Sequence, residues 1–592
     1  MESRPHYGAA TSDPPAIPAP DNAAPGAPAR VPAATAASPR IATFLLAFSM
    51  FSTGASGLIS EYILATVSSY ILGNSIEQFS VIIGLMLAMM GFASWIQKFM
   101  GDRNLIERFL AVEVALALLT SAAPLAIYAA YAVLTDHFAL VQYLFVMSIG
   151  FLIGFEIPLI LRINERYAPR LSRNVAVVFS ADYIGGLAGA LIWAWVLLRY
   201  LPLTEISVLV AGINFVVAAS TFLYFRRAGL TSRRRFPAVA IIACAAWLGV
   251  LYASNRRWAA SLEQRLYEDP IVLSTTTRYQ HIVLTHDPAT DEFRLYINGN
   301  TQFSSADERI YHEHLVHPAM VLADRHARVL VLGGGDGLAM REVLKYPDVR
   351  TATLVDLDPE MTRLAAHEPE LVRLNDGSLR DARVVTIDGP GISPGGYRGV
   401  FVETGRTDAQ GRPRTESVAS VQIMNVDAFR FVDAIPGRYD VIIADFPDPN
   451  AVELVKLYSR EFYTRLRQHL AAGGVAVVQA TSPYHSKEAF LCIRRTLEAA
   501  GLATLPYHDN VPSFGEWGWI LAWRRGAPPA ELRDRIAMLD RFPVPTSYLT
   551  PDVFRAATVF GRGWLDSGTD AVNTLLDPVL LGLYLREGWK ID

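Results

Sequence analysis

In the first half of the chain apolar positions run together and rarely alternate with polar ones. Long apolar runs occupy residues 41–65, 76–97, 109–134, 138–161, 174–200, 203–225 and 236–253. Each approaches or exceeds the ~18–20 apolar residues a helix needs to cross a bilayer. Repeated runs of that length predict a polytopic α-helical membrane domain of about seven helices over 41–254. The preceding residues 1–40 are Pro- and Ala-rich with few large apolar side chains. Such a tail cannot bury enough surface to fold and reads as disordered. It also lacks the basic start, apolar core and cleavage site of a signal peptide.

Past residue 254 the pattern changes to short strands and helices. "IVLSTTTRYQHIVLTH" and "EFRLYINGNTQF" read as strands across the turn-rich "DPATD", and 307–322 reads as a helix. Alternation follows: strand 328–332, helix 337–345, strand 351–356, helix 359–366, strand 421–426, helix 427–433, strand 439–444, helix 459–471 and strand 474–480. That order predicts a parallel, doubly wound α/β sheet. The boundaries expected are a small β domain at 258–320, an α/β domain at 321–525 and a helical extension at 526–592. Residues 388–420, rich in Gly and Pro, read as an insertion forming a surface loop or hairpin.

Composition adds little except where charge is placed. The chain has 592 residues, 51% of them hydrophobic, and a formal net charge of −4. Nothing in that balance points to nucleic acid. Cys244 and Cys492 make neither a disulfide framework nor a metal site, and no His/Cys/carboxylate cluster has ligand spacing. The basic residues of the first half lie in alternate loops: Lys98, Arg103 and Arg108; Arg162, Arg166, Arg170 and Arg173; and Arg226, Arg227, Arg233, Arg234 and Arg235. The positive-inside rule then puts the N-terminus in the cytoplasm, and seven crossings would leave the α/β domain outside. Four acids fall within the apolar runs, Glu61, Glu113, Glu156 and Asp182. They are either accommodated at span ends or between helices, or they bind a cation, with Glu156 and Asp182 the candidates. The small-residue run "GGLAGA" after Asp182 fits close helix packing.

The chemistry of the second half centres on "VLVLGGGDGLAMREV", 329–343, a strand, a glycine turn and a helix. Such turns commonly cradle phosphate, but the Walker pattern is missing and the turn carries an acid, Asp336. In doubly wound sheets ligands bind at the carboxyl ends of the strands. Asp336, Asp356, Asp427 and Asp445 all fall at or just past such ends, with Asp448 three residues beyond Asp445. Taken singly each has an ordinary explanation: Asp356 as an N-cap for the helix at 359, the Asp-Pro pairs as turns. Together they specify a pocket for a cationic ligand.

The order "YINGNTQFSSADERIYHEHLVHPAM" (296–320), "VLVLGGGDGLAMREV", "LVDLDPEM" (354–361), "VDAFRFV" (426–432), "IADFPDP" (443–449) and "LYSREFY" (457–463) resembles spermidine synthase, an aminopropyltransferase. The motifs cover roughly 265–525, and the whole chain is similar to the branch of that family with an N-terminal multi-span membrane domain. The resemblance implies a Rossmann-like, methyltransferase-type fold. It also implies transfer of an aminopropyl group from decarboxylated S-adenosylmethionine to putrescine, giving spermidine and methylthioadenosine. The donor carries a sulfonium, an ammonium and a nucleoside but no phosphate, which fits an acid in the glycine turn. By the family pattern Asp445 is the base and Tyr311 orients the amine, while His312, Asp336, Asp445 and Asp448 contact the acceptor. Gln280, Gln302, Gly333, Gly335, Asp336, Asp356, Asp427 and Ala428 hold the donor, with Asp356 on the ribose. No cofactor is implied beyond the donor as co-substrate.

The sequence departs from the family in four places. Phe446-Pro447 replaces small hydroxyl residues between the two acids, which bears on the acceptor pocket. "NAVELVK" follows Pro449, Phe514 stands in "VPSFGEWGW" where many members have tyrosine, and 388–420 is inserted. Two alternatives stay open: a transferase with another polyamine acceptor or an S-adenosylmethionine-dependent methyltransferase, and a non-catalytic polyamine transporter or sensor. The expected partners are putrescine or a related polyamine, the lipid bilayer and a second copy of the chain as a homodimer, with no nucleic acid. The expected location is the cell (inner) membrane, multi-pass. Because the donor is made in the cytoplasm, the catalytic domain is expected there, with the run 236–253 stopping short of a full crossing.

Overall fold

The computed structural model describes residues 39–587, apart from 73–74, 135–136, 168–169, 229–235, 381–383, 388–400, 408–412, 418–419, 435–436, 527 and 530. The tail expected to be disordered, 1–40, lies outside the described residues except for its last two, which open the first helix.

Seven helices among the described residues are long and apolar enough to cross a membrane: Arg40–Ile71, Glu77–Phe99, Leu105–Val133, Phe138–Asn164, Leu171–Tyr200, Leu203–Arg227 and Pro237–Gln264. They extend the predicted runs mostly at their ends. The largest extension is in the last, which does not stop at 253 but continues as one helix of 28 residues to Gln264. That length is enough for a full crossing, longer than the segment expected from the sequence. The "GGLAGA" glycines do bring helices together. A Cβ on Gly185 would sit 2.0 Å from the Phe51 carbonyl oxygen, and one on Gly189 would sit 2.7 Å from that of Ala55. The end of the fourth helix meets the loop before the third, since Arg162 Nη2 donates to the Met100 carbonyl at 2.7 Å. These two basic loops therefore share one face of the bundle.

The last helix hands the chain to a four-stranded antiparallel sheet: β1 Ile271–Thr276, β2 His281–Asp287, β3 Glu292–Ile297 and β4 Asn300–Ser304. Each of the two predicted strand regions is a pair, broken at Thr277–Gln280 and at Asn298–Gly299, where Asn298 and Gly299 take left-handed φ of 50° and 79°. Glu263 near the helix end holds the sheet, accepting from Ser274 Oγ at 2.6 Å and lying 2.8 Å from His281 Nε2.

An α/β domain follows. Its strands are β5 Arg328–Gly333, β6 Thr351–Asp356, β7 Val384–Ile387, β10 Ser420–Asn425, β11 Tyr439–Asp445, β12 Leu470–Gln479, β13 Leu502–Val511 and β14 Gly515–Arg524, in the order β13-β14-β12-β11-β5-β6-β10-β7. The six strands from β12 to β7 are parallel, as read from the sequence. Edge strand β7 and the final antiparallel pair β13–β14 were not predicted; β14 runs against β12. Within the insertion, β8 Phe401–Thr407 and β9 Pro413–Ser417 pair as the anticipated hairpin. The central strands are apolar on both sides because both faces are covered. Val329, Val331, Val441 and Ile443 pack into one layer, and Leu330, Leu332, Ile442 and Ala444 into the other.

The described residues of the extension, up to Glu587, belong to this domain. Phe542, Val544, Leu549 and Phe554 join the first layer, and Leu580 and Tyr584 join the second. Its anchor is Glu313, fully buried, which accepts the backbone N–H groups of Ser547, Tyr548 and Leu549 at 2.6, 2.9 and 2.8 Å.

Candidate active site

The parallel strands end together. Asp445, last residue of β11, is in register with Gly333 at the end of β5, and Asp356 at the end of β6 pairs with Asn425 of β10. The glycine turn threads between these carboxylates. Gly333 and Gly334 have φ of 82° and 66°, and a Cβ on Gly333 would lie 2.0 Å from the Asp445 carbonyl oxygen. A Cβ on Gly335 would lie 2.6 Å from the Asp356 carboxyl. Only glycine lets the turn pass that closely between two acids.

Asp356 Oδ2 accepts the Gly335 N–H at 3.0 Å and Oδ1 accepts the Asp358 N–H at 2.8 Å. It is not the cap of the following helix. Asp358 is, accepting the Glu360 N–H at 3.1 Å. Burial first, then the neighbouring Asp358 and Asp336 charges, push the Asp356 carboxyl up to about 7. Asp336 Oδ1 accepts the Leu338 N–H at 2.9 Å, which turns its carboxylate over the helix start. Burial raises its pKa above the ordinary aspartate range.

Asp445 Oδ1 receives the Tyr311 hydroxyl at 2.7 Å. Burial raises the Asp445 carboxyl to about 6; Asp336 adds to this, while His312 and the Tyr311 hydrogen bond pull it down. His312 follows Tyr311 on the helix Glu308–Leu322. Its Nδ1 is 2.7 Å from the Glu308 carbonyl and 3.0 Å from Glu308 Oε2, so Nδ1 carries the hydrogen. Burial opposes a charge on this ring, but Glu308, Asp336 and Asp445 outweigh it and raise its pKa. Glu308 is in turn gripped by both terminal nitrogens of buried Arg341 at 2.8 Å. That bidentate pair holds the helix bearing Tyr311 and His312 against the helix that follows the glycine turn. Arg341 carried no signal of this role beyond its place in the motif.

Asp448 completes the acidic lining. Its Oδ1 accepts from Gln479 Nε2 at 3.3 Å and its Oδ2 from Thr481 Oγ1 at 3.5 Å and Tyr584 Oη at 2.7 Å. Burial raises it to about 6 against these three donors. Gln479, Thr481 and Tyr584 were not anticipated; two come from the end of β12 and one from the extension.

The other predicted donor residues are less uniform. Gln280 reaches Asp358, beside Asp356. Gln302 turns its amide nitrogen to the carbonyls of Asn300 and Thr301 at 3.3 and 3.4 Å, along its own strand. Ala428 is buried at the start of its helix. Asp427 accepts the Phe429 N–H at 2.7 Å and is ion-paired with Lys456. Its charge is thus answered within the protein, and the acidic lining is built by Asp336, Asp356, Asp445 and Asp448. Lys456 comes from the segment that departs from the family after Pro449.

Two other departures resolve differently. Phe446 is 6% exposed and packs edge-on against Tyr458 and Phe462 at 6.2 and 5.7 Å, with its ring edge 3.4 Å from where a Cβ on Gly333 would lie. Phe514 does stand at the site, 6.1 Å from the Tyr311 ring, with no hydroxyl to offer. In the membrane domain Glu113 lies well inside its helix rather than at an end. It is fully buried, and neither carboxylate oxygen has a hydrogen-bond partner among the described residues. Glu156 is buried with Thr53 in hydrogen-bonding reach, while Glu61 and Asp182 are half-buried.

Comparison with known proteins points to one family. The spermine/spermidine synthase domain matches residues 308–389 and 414–534. Polyamine aminopropyltransferase 2 of Ralstonia nicotianae is 39% identical over 516 residues, 86% of this chain and 91% of the relative. Polyamine aminopropyltransferase 1 of Streptomyces coelicolor is 38% identical over 560 residues, 93% of this chain and 96% of the relative. Among solved structures, a spermidine synthase in complex with the transition-state analogue AdoDATO shares 22% identity with a TM-score of 0.39, covering 49% of this chain and 85% of that one. Matched along most of its length by relatives of that kind, with the motifs assembled at one end of the sheet, this chain belongs to the polyamine aminopropyltransferase family and is an enzyme of aminopropyl transfer.

Proposed function

We propose that the enzyme transfers the aminopropyl group of decarboxylated S-adenosylmethionine to putrescine. The observation that carries this reading is the carboxylate lining itself. Asp336, Asp356, Asp445 and Asp448 cluster at one end of the sheet, and their bonds come from backbone amides, a side-chain amide and hydroxyls. No lysine or arginine is paired with any of them among the described residues. Such a lining favours a donor and an acceptor that are both cationic, whose mutual repulsion in a dry site would otherwise be large.

In the reaction a neutral amine nitrogen attacks the propyl carbon next to sulfur. The C–N bond forms, the C–S bond breaks with its electrons returning to sulfur, and neutral methylthioadenosine leaves. The proton lost from nitrogen goes to Asp445. A carboxylate raised to about 6 is a competent acceptor near neutral pH and still holds an ammonium before attack. Tyr311 fixes which Asp445 oxygen faces the amine. Asp356 and the glycine turn take the nucleoside, and Asp336 takes the ammonium of the propyl arm.

Purified full-length protein is incubated with decarboxylated S-adenosylmethionine and a panel of amines, with methylthioadenosine and products read by mass spectrometry. Spermidine from putrescine is the expected product. A different preferred amine changes the acceptor, and methylated product from intact S-adenosylmethionine replaces the reading.

We also infer that the protein sits in the cell membrane through its seven apolar helices. A cytoplasmic catalytic domain needed the last run to stop short. The last helix, 28 residues long, is long enough to cross, and with seven crossings the loop charges favour the outer face.

A further inference from the structure

The extension 526–592 returns to the acceptor end of the pocket. Asn573 steers it there from a fully buried position. Its N–H donates to Thr496 Oγ1 at 3.0 Å, its amide nitrogen to the Val455 carbonyl at 3.0 Å, and its own carbonyl accepts the Arg460 N–H at 2.9 Å. Its side-chain oxygen accepts the Leu580 N–H at 3.3 Å, at the start of the helix Val579–Glu587. Leu580 and Tyr584, four residues apart, share one face of that helix and are both buried in the layer under the sheet. The Tyr584 hydroxyl emerges from this layer at Asp448.

We propose that Tyr584 is a positioning and specificity-determining residue for the acceptor amine, orienting Asp448 to receive an ammonium group of a linear di- or polyamine. The inference rests on the aminopropyl-transfer reading above. Asp448 has three donors, all neutral, and Tyr584 at 2.7 Å is the shortest; Gln479 and Thr481 stand at 3.3 and 3.5 Å. Neutral donors steer a carboxylate without cancelling its charge, so the attraction for a cation is kept. Phe514 beside Tyr311 brings no hydroxyl to the amine, and Tyr584 supplies one from the other end of the sequence.

The test is Tyr584→Phe in the full-length protein, which keeps the buried ring and removes only the hydroxyl. The KM for the diamine is expected to rise about ten-fold, the order lost with one hydrogen bond to a carboxylate, while kcat and donor affinity hold. The acid limb of kcat/KM for the amine should move to higher pH, because the lost donor favoured the ionised Asp448. The titratable groups around Asp448 are Tyr584, Tyr458 and Tyr311, and the tyrosines stay neutral across that limb. A merely structural tyrosine would leave both the limb and the ranking of amines where they were, and that result overturns the proposal. In the wild-type protein, saturating diamine should slow amide hydrogen exchange across 575–587. Unchanged exchange in the presence of bound amine also overturns it. Absence of transfer to every amine by the wild-type protein strikes instead at the functional reading, since the exchange experiment scores amine binding without turnover.

Discussion

The Tyr311 hydroxyl and the Asp445 carboxylate, 134 positions apart in sequence, meet in a 2.7 Å hydrogen bond at the mouth of the glycine turn. The bond ties the helix Glu308–Leu322 to the end of β11, so the base is aimed by a residue of another element. Asp445→Asn keeps the size and the Tyr311 contact but can neither take the proton nor hold an ammonium by charge. Transfer should fall by roughly 10²–10⁴-fold, the usual worth of a general base. Donor binding, measured by titration with methylthioadenosine, should stay near wild type. Near-normal turnover at saturating amine would remove Asp445 from that role.

Asp356 separates donor from acceptor function. Because Asp358 caps the following helix, Asp356→Asn does not cost the cap. It removes a carboxylate at the end of β6 that carries no structural ion pair among the described residues. Donor affinity should drop about 10- to 100-fold, as for one or two hydrogen bonds to a charged group, with the KM for the amine little changed. Equal donor affinity in the variant and the wild type would leave Asp356 as a purely local support for Gly335.

The pH dependence has opposite signs for activity and for stability. Asp445 and Asp448 must be ionised to work, and each is raised by burial from 3.8 to about 6. The kcat/KM for the amine should therefore rise with pH through about 6, with a slope above one if both groups count. Stability runs the other way. A folded carboxyl raised above its unfolded value binds more protons in the native state between 3.8 and about 6, so its contribution is present at low pH and lost as pH rises through that window. Melting of the ligand-free protein in detergent at pH 5 and pH 8, compared with Asp445→Asn, isolates the term. The wild type should lose more on going to pH 8 than the variant does.

Glu313 tests how the extension is held. Its fully buried carboxylate accepts three consecutive backbone N–H groups, from Ser547 to Leu549. Glu313→Ala leaves three amide hydrogens without their acceptor. The loss should be about 3–5 kcal/mol, at the severe end for a single substitution. Protease sensitivity beginning near 547, together with a lowered melting temperature, is the expected signature. A variant as stable as wild type would show that water serves those amides equally well.

Much of this was legible in the chain because local pattern and global fold agree. Parallel strands buried on both faces read as apolar runs, and the acids at their ends mark the pocket. Illegible were the residues whose role depends on distant pairing. Nothing near Tyr584 says that it reaches Asp448, 136 positions away. Asp427 looked like its neighbours until Lys456, 29 positions on, was placed against it. Phe446 sits inside the acceptor motif, and nothing local says that its ring packs on Phe462, 16 positions on. The β13–β14 pair was missed because its strands are antiparallel additions to a pattern read as strand-helix alternation.

Counting ends gives a prediction for the side of the membrane. Arg162 at the end of the fourth helix is bonded to the loop carrying Asp102, and the loop after the sixth helix carries further arginines. These basic ends are those of the second, fourth and sixth helices. The seventh helix starts from the same face and runs 28 residues before Glu263 engages the first sheet, so the catalytic half emerges from the opposite face. Arg256 near that end pairs with Glu205 at the start of the sixth helix, as two ends on one face should. Short basic loops stay in the cytoplasm, whereas a long domain crosses largely regardless of its charge. The expected outcome is therefore an external catalytic domain, with the donor reaching it across the membrane. Fusing a reporter active only in the cytoplasm, or one active only outside, after Asp592 reads this directly; a second pair of fusions in the loop near Arg103 should report the reverse. Cytoplasmic signal from both positions would mean that an even number of the five helices between them crosses, and the place to look would then be the weakest-buried of those, Leu171–Tyr200 and Pro237–Gln264.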